Sequence, residues 1–192
     1  MWLTRVRSGH RLKEWLTLKI VPVVLGAPVP DIMRVLFYRR AFCGVHFATL
    51  QQRLLRGTSD WSMGERELFA AFVSAKNCCR FCIDAHSAIA ARLVGHEVVD
   101  AIMADVESAP ISEPARRMLY FLEKLTLEPD RITSEDLAPL RAAKISDEAI
   151  LDAIYICGTF CALNRLVDAM GCAPMTPKQL DASAKMLLER GY

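Results

Sequence analysis

The sequence has little net charge and no long apolar run. Its 24 basic residues nearly balance its 22 acidic ones, which leaves a formal charge of +2. Because this balance provides no strongly basic surface, we expect no nucleic-acid partner. The nearest candidate for a membrane span, residues 20–25, contains Pro22 and falls far short of the ~20 residues that cross a bilayer. We therefore expect no integral membrane segment.

Strand signals are also scarce, since apolar and polar residues rarely alternate along the chain. Helix-capping pairs recur instead, for example Ser62 with Glu65 and Thr133 with Asp136. One apolar-periodic run extends from Pro30 to a stop at Gly57, which predicts a helix over 30–57. The pattern predicts an all-α fold, a bundle of roughly seven or eight helices joined by short connections.

The first residues differ in composition from the rest of the chain. Residues 1–19 carry five basic side chains against one acidic side chain, Glu14. We predict a basic N-terminal arm over 1–29 and one helical domain over 30–192. The arm is expected to hold an amphipathic helix that docks on the body or on another subunit, and a membrane-surface contact is the alternative. A cleaved signal is not expected, because the apolar part is short and contains a proline.

Seven cysteines are present, but they do not indicate a small disulfide-stapled scaffold. The count is odd, and the chain is long and rich in apolar residues. We expect a cytoplasmic location. In a reducing compartment, two cysteines close in sequence indicate redox chemistry or metal binding rather than structural cross-linking.

The informative segment spans residues 77–86. Cys79 and Cys82 are three residues apart at the predicted start of a helix, where free N–H groups and the helix dipole favour a thiolate. His86 follows four residues after Cys82 on the same helix face, so its imidazole can accept the thiol proton or stabilise the thiolate. This spacing favours Cys82 as the attacking sulfur and Cys79 as the partner that captures the oxidised sulfur.

Glu67 belongs to the helix that precedes the cysteines. Two helices joined near Asn77 fold back on each other, which can bring Glu67 over the cysteine turn. There its carboxylate can orient His86 or relay a proton. Glu65 is a weaker candidate, because the capping pair with Ser62 already explains it.

A zinc site is the alternative interpretation of the same segment, with Cys79, Cys82, His86 and Cys78 as ligands. Consecutive Cys78 and Cys79 suit a tetrahedral site poorly, and the sequence has no second Cys-x-x-Cys and no His-x-x-x-His. We therefore expect redox chemistry, with no metal and no other cofactor.

The segment resembles the motif of the alkylhydroperoxidase D-like proteins, which belong to the carboxymuconolactone decarboxylase-like superfamily. The specific feature is a glutamate twelve residues before the first cysteine of Cys-x-x-Cys-x-x-x-His, and Glu67 fills that position. The resemblance covers roughly residues 30–172 and includes a second stretch at 164–168. In that stretch we favour an ion pair of Arg165 with Asp168, and the alternative is that Asn164, Arg165 and Asp168 line a pocket. The founding peroxidase has a histidine where this chain has Phe81.

The resemblance implies an all-helical homo-oligomer with cysteine-based peroxidase activity. By this likeness, a small hydroperoxide oxidises Cys82 to a sulfenic acid, and Cys79 is the proton donor and resolving thiol. His86 and Glu67 form the proton relay. The likeness also implies a reducing partner, either a lipoyl protein or a thioredoxin-like protein.

Two other functions remain open on the same fold. One is a lyase similar to a lactone decarboxylase, although that chemistry has no use for a dithiol. The other is a non-enzymatic binding oligomer or redox sensor, in which a disulfide switches an interface.

Overall fold

The computed structural model describes all 192 residues and contains helices and turns but no strand, so the all-α prediction is confirmed. A π turn at Arg40–Gly44 and two 3-10 turns, at Pro129–Arg131 and Ser134–Leu137, join some of the helices. The eleven α-helices are α1 (Thr4–Ser8), α2 (Leu12–Leu25), α3 (Asp31–Tyr38), α4 (Val45–Arg56), α5 (Met63–Lys76), α6 (Arg80–Val94), α7 (His96–Ala104), α8 (Glu113–Leu127), α9 (Ala138–Ala142), α10 (Asp147–Ala169) and α11 (Pro177–Arg190).

The predicted count of seven or eight helices is wrong, because two segments divide further than their sequence pattern indicates. The run over 30–57 is interrupted by the π turn between α3 and α4. At this turn Gly44 lies so close to the carbonyl oxygen of Leu36 that a side chain would collide with it. The N-terminal arm also holds two helices, α1 and α2, rather than one.

Helix α5 runs through the centre of the fold. Ten of its fourteen residues are buried, and it contacts α6, α8 and α10. The main apolar core forms around it, and its largest fully buried side chains include Phe69, Phe72, Met118, Leu122, Ile156 and Phe160. Any polar side chain on the inward faces of α5 is therefore shielded from water.

The turn between α5 and α6 depends on two local features. Ser62 and Glu65 form the predicted capping box, which fixes where α5 begins. At the other end Cys78 adopts a left-handed conformation with φ of 59°, which is uncommon for a residue with a side chain. This turn lets the N–H of Cys79 donate to the carbonyl of Ser74 (3.0 Å) and makes Cys79 the N-cap of α6.

The N-terminal arm lies against α3 and the end of α10. The N–H of Trp2 donates to the carbonyl of Met170 at 3.0 Å. Helix α2 is not the amphipathic helix that we expected, because apolar side chains occur on all its sides and Ile20, Val23 and Val24 are exposed. The division into an arm over 1–29 and a domain over 30–192 stays a prediction.

One helix has the length and composition of a membrane span. Helix α10 has 23 residues and a mean hydropathy of 1.5 over its most apolar window, and 50% of that window is buried inside the fold. The expectation that no segment is long and apolar enough was therefore wrong. A single such helix is weak evidence for a membrane span, because the core helix of a soluble protein meets the same criteria.

The close approach of α5 and α6 can be tested at Gly64. We expect Gly64→Ala to lower the free energy of unfolding by about 1–3 kcal/mol, because the new methyl group collides with Val94. Gly158→Ala is the matched control within α10, where an added Cβ meets nothing within 4 Å. It should raise the free energy of unfolding by about 0.5–1 kcal/mol. Urea unfolding measures both, and equal effects would contradict the proposed contact.

Candidate active site

The four site residues predicted from the sequence all lie where α5 and α6 face each other. Glu67 is in the middle of α5, Cys79 caps α6, and Cys82 and His86 occupy the first turns of α6. All four are buried, with exposed fractions between 0% and 6%. The structure therefore brings together the set that the spacing suggested.

His86 is held directly by Glu67. Its Nδ1 lies 2.7 Å from Oε2 of the carboxylate. The rings of Phe160 and His86 pack edge to face, with 4.5 Å between their centroids, and this contact further restricts the imidazole. Because Nδ1 is engaged, Nε2 is the ring nitrogen left to exchange a proton with another group.

The Glu67 carboxylate has two further partners. Nη1 of Arg56, at the end of α4, lies 2.6 Å from Oε1, and the hydroxyl of Tyr192 donates to the same oxygen at 2.9 Å. Burial acts to raise the pKa of Glu67, but the hydrogen bond with His86 and the charge of Arg56 outweigh it. The pKa of this carboxyl is therefore lowered, and Glu67 is an anion inside the core.

The two thiols of the motif differ in proton affinity. A hydrogen bond from the Cys82 thiol lowers the pKa of Cys79 and outweighs burial, while Asp168 opposes it. The interaction with Cys79, followed by burial, raises the pKa of Cys82, and the amide of Asn164 opposes this. When the pair holds a single proton, the thiolate is therefore on Cys79 and the S–H is on Cys82.

Access to the two sulfurs is also unequal. A cavity of about 230 Å³ lies between α3, α6, α10 and α11, and Cys82 and His86 line it whereas Cys79 does not. Seventeen of its 22 lining residues are apolar. Its polar side chains are those of Gln51, His86, Ser183 and Tyr192. A molecule in this cavity meets Cys82 and His86 on the same wall.

A chain of amides connects the cysteine turn to α10. Nδ2 of Asn77 donates to Oδ1 of Asn164 at 2.9 Å, and Nδ2 of Asn164 donates to the hydroxyl of Ser74 at 3.0 Å. Asn164 is fully buried beside Cys82. This network fixes the amide that faces the Cys82 sulfur.

Several residues around the site were not predicted in these positions. Arg56 and Tyr192 were missed, and no local spacing links Tyr192 to Glu67 across 125 residues. Asn164 and Asp168 lay within the stretch that drew the resemblance, so a signal for them existed. The proposed ion pair of Arg165 with Asp168 is wrong, because Arg165 donates instead to the carbonyl of Cys161 at 2.7 Å.

Two other thiols near the site also have shifted pKa values, so they affect any titration of the cysteine pair. The Cys157 thiol lowers the pKa of Cys161 to about 5, with help from Asn77. Burial raises the pKa of Cys172 to about 12, and this residue packs beside Cys79 and Cys82. No group of three or more histidine, cysteine or acidic side chains is arranged to hold a metal ion.

No family profile and no curated protein matches this sequence. Solved structures do resemble it. An uncharacterized peroxidase-related protein from Silicibacter sp. has a TM-score of 0.75 at 27% identity, over 85% of each chain. An uncharacterized peroxidase-related protein with an alkylhydroperoxidase AhpD core, from Ralstonia eutropha, has a TM-score of 0.77 at 24% identity, over 92% of each chain.

A third similar structure has a different activity in its name. The debrominase Bmp8 has a TM-score of 0.72 at 19% identity, over 91% of this chain and 94% of its own. All three likenesses extend over most of both chains, so the fold is shared. The fold alone does not determine the reaction, which depends on the side chains of the site.

The buried carboxylate should be visible in the pH dependence of stability. We expect Glu67→Gln to lower the free energy of unfolding by about 3 kcal/mol at neutral pH, because it leaves Arg56 buried without a counter-ion. The folded pKa of Glu67 is lowered, so its contribution is present above the ordinary glutamate range and is lost as pH falls through the folded value. Urea unfolding should show the difference from wild type shrinking in acid. The exposed Glu189→Gln is the control, and a pH-independent difference would contradict this account.

The shared proton of the cysteine pair can be measured by ultraviolet thiolate absorbance. The titration is done in a Cys161→Ser background, because Cys161 also has a lowered pKa. We expect Cys82→Ala to raise the pKa of Cys79, since it removes the thiol that stabilises the thiolate. Cys43→Ser, on the π turn, is the control. An unchanged titration of Cys79 in Cys82→Ala would show that the thiols do not share a proton.

Proposed function

We propose, from the alkylhydroperoxidase D-like fold family to which this chain belongs, that it is a thiol-dependent peroxidase acting on organic hydroperoxides. One observation carries the proposal: a dithiol places one sulfur, Cys82, on an apolar cavity whose wall also holds the Glu67-bound imidazole of His86. A nucleophile, a group that can transfer a proton and a place for substrate thus lie together.

The raised pKa of Cys82 is compatible with its role as the attacking sulfur. The hydrogen bond between the thiols lets the Cys82 proton pass to the Cys79 thiolate when a substrate enters the cavity. The thiolate then resides on Cys82, next to the substrate, and Cys79 becomes a thiol. The amide of Asn164 supports the negative charge on Cys82.

In the oxidation step the Cys82 thiolate attacks the outer oxygen of the hydroperoxide. An S–O bond forms while the O–O bond breaks, and the alkoxide leaves with the bonding electron pair. The alkoxide takes a proton from His86, whose other nitrogen is held by ionised Glu67. The products are an alcohol and the sulfenic acid of Cys82.

In the resolving step the Cys79 sulfur gives up its proton and attacks the sulfenic sulfur of Cys82. An S–S bond forms and the S–O bond breaks, and the departing hydroxide takes the proton that Cys79 gives up and leaves as water. The disulfide holds two oxidising equivalents, so an external dithiol must reduce it by exchange. We propose a lipoyl or thioredoxin-like protein as this reductant, in a cytoplasmic homo-oligomer.

The cavity supports an organic substrate rather than hydrogen peroxide. Its lining is mostly apolar, and its volume of about 230 Å³ is sufficient for a hydrocarbon group. Burying that group in the cavity brings the hydroperoxide end toward its few polar side chains, which include His86. Hydrogen peroxide has no apolar part, so it gains no binding free energy from this apolar wall.

Single-turnover oxidation of the reduced protein tests the mechanism. We expect Cys82→Ser to abolish the fast reaction with cumene hydroperoxide, because it removes the nucleophile. Cys79→Ser should still react once and leave a trappable sulfenic acid on Cys82, since only the resolving thiol is missing. Stopped-flow kinetics and mass spectrometry give both readouts, and Cys43→Ser is the control. Unaltered peroxide consumption in Cys82→Ser would refute the proposal.

The same proteins discriminate the other two functions. Turnover of a lactone acid that survives loss of both cysteines would indicate a lyase. A disulfide that forms and is reduced without catalytic turnover, and that changes the oligomeric state, would indicate a redox sensor.

A further inference from the structure

Tyr192 contacts the whole buried relay. Its hydroxyl donates to Glu67 at 2.9 Å and 3.2 Å, one distance to each carboxylate oxygen. Its ring lies parallel to that of His86, with 8° between the planes and 6.2 Å between the centroids. The guanidinium of Arg56 sits 5.0 Å from the centre of the tyrosine ring.

We propose that Tyr192 is a positioning residue of the proton relay. Its hydroxyl holds Glu67 in the ionised form, and its ring keeps the imidazole of His86 parallel to it. This inference rests on the proposed peroxidase function and extends it, because the resemblance assigns no tyrosine to the site.

A backbone hydrogen bond and the bend at Gly191 fix the position of Tyr192. Its N–H donates to Oε1 of Gln52 at 2.7 Å, which anchors its backbone on α4. Gly191 precedes it with φ of 78°, and the Gln52 amide occupies the space that a side chain at Gly191 would need. The chain is thus bent at Gly191 so that the tyrosine ring enters the cavity wall.

The electrostatic consequence follows from the groups around Glu67. Arg56 faces it from α4, His86 from α6, and Arg66 acts on it from α5 itself. Tyr192 adds a donor without adding charge, and hydrogen bonds to the ionised form favour that form. Burial and the nearby Glu67 raise the pKa of Tyr192 well above its usual range, so the hydroxyl keeps its proton at neutral pH.

The relay needs this arrangement at the moment when the alkoxide takes a proton from His86. His86 must then regain the proton that it gave up, and an ionised Glu67 keeps its Nδ1 correctly oriented while it does so. If Glu67 becomes protonated, the orientation and the counter-charge are both lost. The rate of Cys82 oxidation should therefore fall in two acid steps, an upper one as the Cys79 thiolate is protonated and a lower one as Glu67 is protonated, and Tyr192 helps to set the lower step.

Tyr192→Phe isolates the hydroxyl, because phenylalanine keeps the stacked ring. In single-turnover kinetics with cumene hydroperoxide, we expect the lower acid step of the rate–pH profile, that of Glu67, to move up by about one pH unit, the size of one hydrogen bond to a charged group. The neutral plateau should change less than the acid limb. The exposed Tyr155→Phe is the matched control and should keep the wild-type profile. A profile for Tyr192→Phe that superimposes on wild type would overturn the inference.

A second measurement needs no peroxidase activity. The Glu67 carboxyl is followed by carbon-13 NMR in the reduced protein, where Tyr192→Phe should raise the titration midpoint. Gln52→Ala removes the backbone anchor of Tyr192 and should also raise the Glu67 midpoint, by a smaller amount. This variant replaces Tyr192→Phe if that protein does not fold. If the midpoint shifts but the wild type has no peroxidase activity, the proposed function is refuted and the positioning role is retained. An active wild type with unshifted midpoints in both variants would sink the positioning role alone.

Discussion

The arrangement of this protein depends on one buried negative charge. A carboxylate taken out of water costs several kcal/mol unless charged and hydrogen-bonding partners replace its hydration. Glu67 therefore requires Arg56, His86 and Tyr192 at its two oxygens. These partners come from α4, α6 and the end of the chain, so the relative placement of those elements is tied to the needs of a single side chain on α5.

The cysteine pair combines two properties that one thiol could not. Cys79 has the lower proton affinity but does not line the cavity, whereas Cys82 lines the cavity and holds the proton. A sulfur protonated at rest is protected from adventitious oxidants, because the thiol is a poor nucleophile. In the proposed mechanism, the reactive form arises next to the substrate by a proton shift along the hydrogen bond between the two thiols.

Local spacing in the sequence was sufficient for the all-helical class, the cap at Ser62 and the cluster of Glu67, Cys79, Cys82 and His86. Each of these depends on contacts within a few residues or between two adjacent helices. The break between α3 and α4 was missed, because a π turn keeps the apolar periodicity nearly continuous. Tyr192 was missed for another reason: its partners lie far away in sequence, and only the folded chain brings them together. The catalytic roles of the residues stay predictions.

The cavity has two kinds of wall. Cys82 and His86 come from α6, which packs on the central helix α5, whereas much of the apolar lining comes from α3 and α11 at the periphery. Helix α11 also packs on α6, and Ile32 of α3 packs beside Cys82, so the apolar wall and the sulfur share direct contacts. A substitution in the apolar wall can therefore change the volume of the cavity and the position of Cys82 together.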